Sequence, residues 1–189
     1  MNSYQIHSAD TAPETAKEPL TVLQAAFGFV PAAAGLMANS PALLSTFFSA
    51  FGHFRAGGTF GPEERQVLLL SNAVANGSEW AVAFHTLEAL ADGVEPAVIE
   101  ALRRGDLPAD PRMAALSALT RAFIDKRGRL DEADVAAFAA GGFTEEQLFE
   151  VITGVAISAM TNYTVNVVRP PLEAAVQPHA WTKGYSNGV

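Results

Sequence analysis

Residues 62–93 read PEERQVLLLSNAVANGSEWAVAFHTLEALADG, and their reading decides the fold. Pro62 after Gly61 opens a helix, because its ring fixes φ and its missing N–H is one that a first turn leaves unpaired. Glu63 and Glu64 fall in that first turn, where the helix dipole favours anions. Val67, Leu68, Leu69, Leu70 and Val74 then place apolar side chains on most faces, as a central helix requires. Asn76-Gly77 is a strong break. Ser78 is placed to cap a second helix that runs to Gly93. The stretch therefore predicts two consecutive helices, the first of them at the centre of the core.

Outward from this stretch the same punctuation repeats. Pro13 opens a helix through Leu20 to Phe27, ended by Gly28 and Pro31, and a short helix follows to about Asn39. Ser40 caps a helix that has Pro41 at its first position and runs past Phe47, Phe48, Phe51 and Phe54 to Gly57-Gly58. Further helices fit Pro96–Arg104, Pro111–Arg127, Asp131–Ala140 and Thr144–Val168, the last ended by Arg169-Pro170-Pro171. Strand-like alternation is scarce. The expected fold is an all-α bundle of about nine helices in one domain, residues 1–189. Its core spans about 20–172, and polar tails occupy 1–12 and 177–189.

Composition narrows the functional classes. Among 189 residues, 49% are apolar and 17% charged, a folding composition. The net charge of −8 and scattered basic residues argue against a nucleic-acid partner. No continuous apolar run approaches a membrane span of ~20 residues, and the start lacks the pattern of a secretion signal, so a cytoplasmic location is expected. The chain has no cysteine, which excludes disulfides, thiolate metal sites and a catalytic thiol. No Gly-rich loop follows a strand, so no phosphate or dinucleotide site is expected, and no cofactor is implied.

Projected at 100° per residue, Trp80, Phe84 and Leu87 share one face of the second helix, the expected core stripe. Ser78, Ala81, His85 and Ala89 share another. Small neighbours leave either a cavity beside the imidazole or close helix packing, and geometry alone favours close packing, with His85 bonded to a backbone carbonyl. Ser78 and His85 are two turns apart, about 10 Å along the axis, too far for a direct nucleophile–base pair. Glu88 one turn on makes only a two-ligand pattern with His85, too few for a metal site. Glu63, Glu64 and Glu79 suit helix first turns better than catalysis.

The last long helix carries a second polar signal. Leu148, Val151, Ile152, Val155 and Ala159 define its expected apolar stripe, which continues onto Asn162 and Asn166. Buried amides need partners, since an unsatisfied one costs about 1–3 kcal/mol. The pair forms either a polar wall beside His85 or, as the favoured alternative, a hydrogen-bonded bridge between helices. Ser158, Thr161 and Tyr163 are weaker candidates nearby. His53, among Phe51 and Phe54, reads as structural or interfacial.

The pattern Pro62-Glu63-Glu64-Arg65-Gln66, Leu68 to Ala75, Asn76 to Ala81, His85 and Gly93 resembles the core of the alkylhydroperoxidase D-like and carboxymuconolactone decarboxylase superfamily. Gly28-Phe29-Val30-Pro31 and Asn39-Ser40-Pro41 resemble landmarks of its peroxidase-related branch, as do Gly142, Glu145-Glu146 and Asn162. The resemblance implies an acidic residue, a C-x-x-C pair and a histidine that together run thiol peroxidase chemistry. Here Gln66 stands for the acid, Ser78 and Ala81 for the cysteines, and only His85 is kept. A hydroxyl cannot cycle through a disulfide, Ala81 cannot resolve one, and Gln66 cannot carry a proton at neutral pH. Natural loss or Cys-to-Ser and Cys-to-Ala replacement would each give this pattern, and Gln66 favours natural loss.

Three functional expectations follow. The first is a non-redox member binding a small organic molecule in a pocket of Gln66, Ser78, Trp80, Ala81, His85, Asn162 and Asn166. There His85, with Ser78 and Gln66, would serve acid–base chemistry such as decarboxylation or isomerisation. The second is a catalytically silent binding or assembly protein, and the third is residual alkylhydroperoxide reduction. Relatives associate through helical faces, so a homo-oligomer, dimer or trimer, is expected, with the Phe47–Phe54 helix as its apolar surface. No membrane partner is expected.

Overall fold

Proline and a few capping side chains set the helix starts. The computed structural model describes residues 4–183, and among them nine α-helices follow in order: α1 Glu14–Phe27, α2 Ala32–Met37, α3 Pro41–Ala56, α4 Pro62–Ala75, α5 Glu79–Ala91, α6 Pro96–Arg104, α7 Pro111–Asp125, α8 Glu132–Ala140 and α9 Glu145–Val168. Pro41, Pro62, Pro96 and Pro111 each stand at a helix's first position. Ser40 caps α3 by accepting from the Leu43 amide, and Thr144 and Gln147 form a reciprocal capping box on α9. The expected cap at Ser78 is absent, since its side chain accepts no bond from the first turn of α5.

α4 is the central helix. Its residues from Gln66 to Ala73 are all buried, and α5, α6, α7 and α9 pack around it. The approach of α9 is close because Gly154 faces Leu68, where a Cβ would collide with the leucine side chain. Gly154 thus serves packing rather than flexibility.

The core face of α9 is not the expected one. Gln147, Val151, Gly154, Ile157, Ser158, Asn162 and Val165 are buried, whereas Ile152 is 46% exposed and Phe149, Tyr163 and Val167 more so. Small residues face the core because they let α4 and α9 close in, and part of the apolar stripe is left outward. By length and composition alone α9 also reaches a membrane span, which corrects the expectation of no such run. Thr, Ser, Gly and Asn interrupt the sequence without adding charge. In the fold this helix packs against α2, α3, α4, α5 and α7.

Both tails dock where described. The His7 amide donates to Gly35 O at 3.1 Å. At the other end Trp181 Nε1 donates to Arg103 O at 2.9 Å, and the Arg103 guanidinium donates to His179 O and Ala180 O. The expected polar tail from 177 is therefore held against α6 as far as Trp181, by one indole and one guanidinium that hydropathy does not reveal.

Candidate functional site

His85 sits midway along α5 and faces Gln66 of α4. Its Nδ1 lies 3.2 Å from Gln66 Oε1, and Gln66 Nε2 donates to Asp92 Oδ2 at 2.8 Å. The Asp92 carboxylate accepts only, so it orients the amide with nitrogen toward itself and oxygen toward the imidazole. That oxygen also accepts only, so Nδ1 carries the ring proton and Nε2 keeps its lone pair. Burial penalises the imidazolium and pulls the His85 pKa down to about 4. At neutral pH the ring is uncharged, with one nitrogen committed and one free to accept.

His85 borders two voids. The larger, about 50 Å³, is walled by aromatic and aliphatic side chains, among them Phe27, Phe47, Phe51, Trp80 and Phe84, with Ser158 and Thr161 as its hydroxyls. The smaller, about 20 Å³, is bordered by Gln66, Arg55, Arg65 and Glu88. Ser158 Oγ is buried and has no partner among the described residues. A water needs about 10–15 Å³ by this measure and a benzene-binding cavity offers about 150 Å³. The larger void therefore takes a ring only if a wall side chain shifts.

The aromatic wall is itself ordered. Trp80 stacks on Phe84 at 4.9 Å between centroids, and Phe27 meets Phe84 edge-on at 5.4 Å. Trp80 Nε1 donates to Glu173 Oε2 at 2.9 Å, and the other oxygen of Glu173 takes the Ala32 amide at 2.6 Å, at the start of α2. One carboxylate thus fastens α5, α2 and the segment after α9.

Of the residues expected to form the site, the fold brings together Gln66, Trp80 and His85. Ser78 is fully buried and its Oγ has no partner among the described residues, but it lines neither void beside His85. Ala81 and Ala89 are buried as well, so the small face of α5 is spent on packing and the void lies on the aromatic side. Asn162 is 1% exposed, and neither of its amide atoms has a partner among the described residues. Asn166 donates to Asn76 O at 3.3 Å and so bridges α9 to the turn between α4 and α5. Sequence reasoning missed Asp92, which stands just before the Gly93 break, and the walls Phe27, Phe47 and Phe51, which lie far away in the chain. Glu88 does stand near, with its pKa raised by burial and Asp92 and lowered by Arg55.

Residues 41–123, which hold α4, α5 and the His85–Gln66–Asp92 chain, match the model of the carboxymuconolactone decarboxylase family. The match covers 83 of the 189 residues and is a likeness of this central segment. No curated protein matches the sequence. Solved structures match nearly the whole chain. An uncharacterized peroxidase-related protein of Ralstonia eutropha JMP134, described as an alkylhydroperoxidase AhpD core, is 21% identical with a TM-score of 0.79, covering 92% of this chain and 93% of that one. The debrominase Bmp8, as a cysteine-to-alanine variant in complex with 2,3,4-tribromopyrrole, is 17% identical with a TM-score of 0.77, covering 95% of each chain. A peroxidase-related protein of Silicibacter sp. TM1040 is 16% identical with a TM-score of 0.74, covering 92% of this chain and 95% of that one. These likenesses show the fold: an alkylhydroperoxidase D-like helical bundle, here without cysteine. The residues that bear on function are those this segment encloses together with walls from α1, α2 and α9.

Proposed function

We propose that this chain binds a small, largely apolar ring that carries an N–H or O–H donor, in the void beside His85. The observation that carries this reading is the chain Asp92–Gln66–His85, which leaves Nε2 a neutral acceptor. The ring bodies of Phe27, Phe47, Trp80 and Phe84 suit an aromatic guest. Ser158, buried and without a partner among the described residues, offers a second polar contact to a guest that has one. The pyrrole bound by Bmp8, on a similar fold, belongs to the same chemical class.

At neutral pH the imidazole is uncharged and Nε2 bears no proton, so it has none there to give as a general acid. A conjugate acid near pKa 4 makes a weak base, and proton transfer works best when the pKa lies near working pH. A chain without cysteine holds no thiolate to attack a peroxide. The reading is therefore binding through a fixed acceptor. The test is affinity for pyrrole against furan, an isostere without the N–H. Pyrrole should bind about five- to tenfold tighter, the worth of one net hydrogen bond, and His85→Leu should abolish the difference. Equal affinities in the unmodified protein would overturn the reading.

A homo-oligomer is proposed on a different face from the one the sequence suggested. Phe47 and Phe54 of α3 are buried within the subunit, whereas Phe149, Ile152, Tyr163 and Val167 of α9 are exposed. Ile152→Glu should then lower the mass seen in sedimentation, and an unchanged mass would point away from α9.

A further inference from the structure

We infer that ligands reach the void beside His85 by passing between Phe27 and Phe51, which act as its selective gate. The inference rests on the binding reading above. An outer groove of about 560 Å³ runs between α1, α3 and α5, walled by Val22, Ala26, Phe48, Gly52 and Leu87 among others. Phe27 and Phe51 border this groove, the small void and the larger void alike. Displacing these two rings joins all three spaces into one passage that ends at the imidazole. Arg55 and Glu88 stand at its mouth, bordering the groove and the small void.

A second wall competes. Trp80 separates the larger void from another groove, about 500 Å³, bordered by Arg169, Trp181 and Lys183. The two walls are held very differently. Trp80 stacks on Phe84 and is fastened by its bond to the Glu173 carboxylate, itself anchored to the Ala32 amide. Phe27 and Phe51 have no polar handle. Phe27 meets Phe84 edge-on, while Phe51 stacks on Phe47 at 5.5 Å with the Arg55 guanidinium 5.6 Å from its centre. A hydrogen bond to a carboxylate outweighs a ring contact of this kind, so the phenylalanine wall yields first. Position favours it too. Phe27 is the last residue of α1, and Gly28 beyond it is left-handed at φ 78° with nothing packed within 4 Å of where a Cβ would stand. A helix end of this sort frays more readily than a helix interior.

The experiment uses Trp80 as reporter. The chain has two tryptophans, so the full chain with Trp181→Phe leaves Trp80 alone to be quenched by acrylamide. In that background Phe51→Ala should raise the bimolecular quenching constant about threefold or more, as removal of a gate does. Ala26→Phe, which fills the groove, should lower it. Phe51→Leu repeats the test with less loss of packing, and near-ultraviolet circular dichroism verifies that each variant is folded. A rise with Glu173→Leu but none with Phe51→Ala would place the passage at Trp80 and overturn the inference, as would no change in either. Pyrrole and furan affinities are read separately, so loss of the pyrrole preference refutes the binding reading while the quenching data judge the gate.

Discussion

Asp92 accepts the Gln66 amide at 2.8 Å and thereby decides which end of Gln66 faces His85. An acidic side chain at the Gln66 position would have no donor for Asp92. The glutamine and the aspartate are matched to each other, and together they hold the imidazole in one tautomer.

Gln66→Glu tests that match. Gln66 is 5% exposed, so the change sets two carboxylates against each other in buried surroundings. The variant should lose about 2 kcal/mol or more at pH 7, the penalty of an unpaired buried charge. The loss should shrink as pH falls and one carboxyl takes up a proton. Denaturant melts at pH 7 and pH 5 measure both. An equal loss at the two pH values would show that shape and not charge is responsible.

His85 should imprint its pKa on stability. Its folded-state value, about 4, lies below the ordinary 6.5. Between these values the unfolded chain binds more protons, so the contribution is intact above pH 6.5 and is lost as pH falls toward 4. The loss amounts to about 3 kcal/mol, from about 2.5 units at 1.36 kcal/mol each. The stability difference between the native chain and His85→Leu should therefore move by this amount across the window, shifting in favour of the variant as pH falls. A difference independent of pH would mean that His85 titrates normally in the fold.

Glu173→Ala removes the acceptor of two bonds, to Trp80 Nε1 and the Ala32 amide. Each bond to a charged group is worth about 1.5–3 kcal/mol, so melts should show a loss of at least that size. Trp80 emission should shift to the red as its indole meets water. A variant as stable as the native chain would mean that the fastening of α2 to α5 lies elsewhere.

Much of this was legible in the sequence. Proline at a first helical position marks α3, α4, α6 and α7 because only there does its missing N–H cost nothing. Uniform hydropathy marked α4 as central. The face of α9 was misread, because Gly154 and Ser158 are buried for closeness of approach and not for hydrophobicity. Small neighbours around His85 suggested packing or a void, and both occur, on different sides of α5. The aromatic walls come from α1 and α3, and helical periodicity says nothing of what a distant helix brings. Asp92 was hidden by its place at a helix end, where an acidic residue signals nothing in particular.

Ser158→Ala separates binding from stability. Its buried hydroxyl has no partner among the described residues, so removal should stabilise by about 1 kcal/mol, the desolvation penalty relieved. Affinity for phenol, whose hydroxyl can donate to His85 Nε2 and accept from Ser158 Oγ, should fall in the same variant. A stability gain with unchanged affinity would remove Ser158 from the binding site and leave the imidazole as the sole polar contact.

The most direct test is the protonation of His85 itself, followed by nitrogen-15 NMR from pH 8 to pH 3. The account predicts a neutral ring protonated at Nδ1, with Nε2 bare, until protonation sets in near pH 4. Titration near 6.5, or a ring protonated at Nε2 in neutral solution, would contradict it.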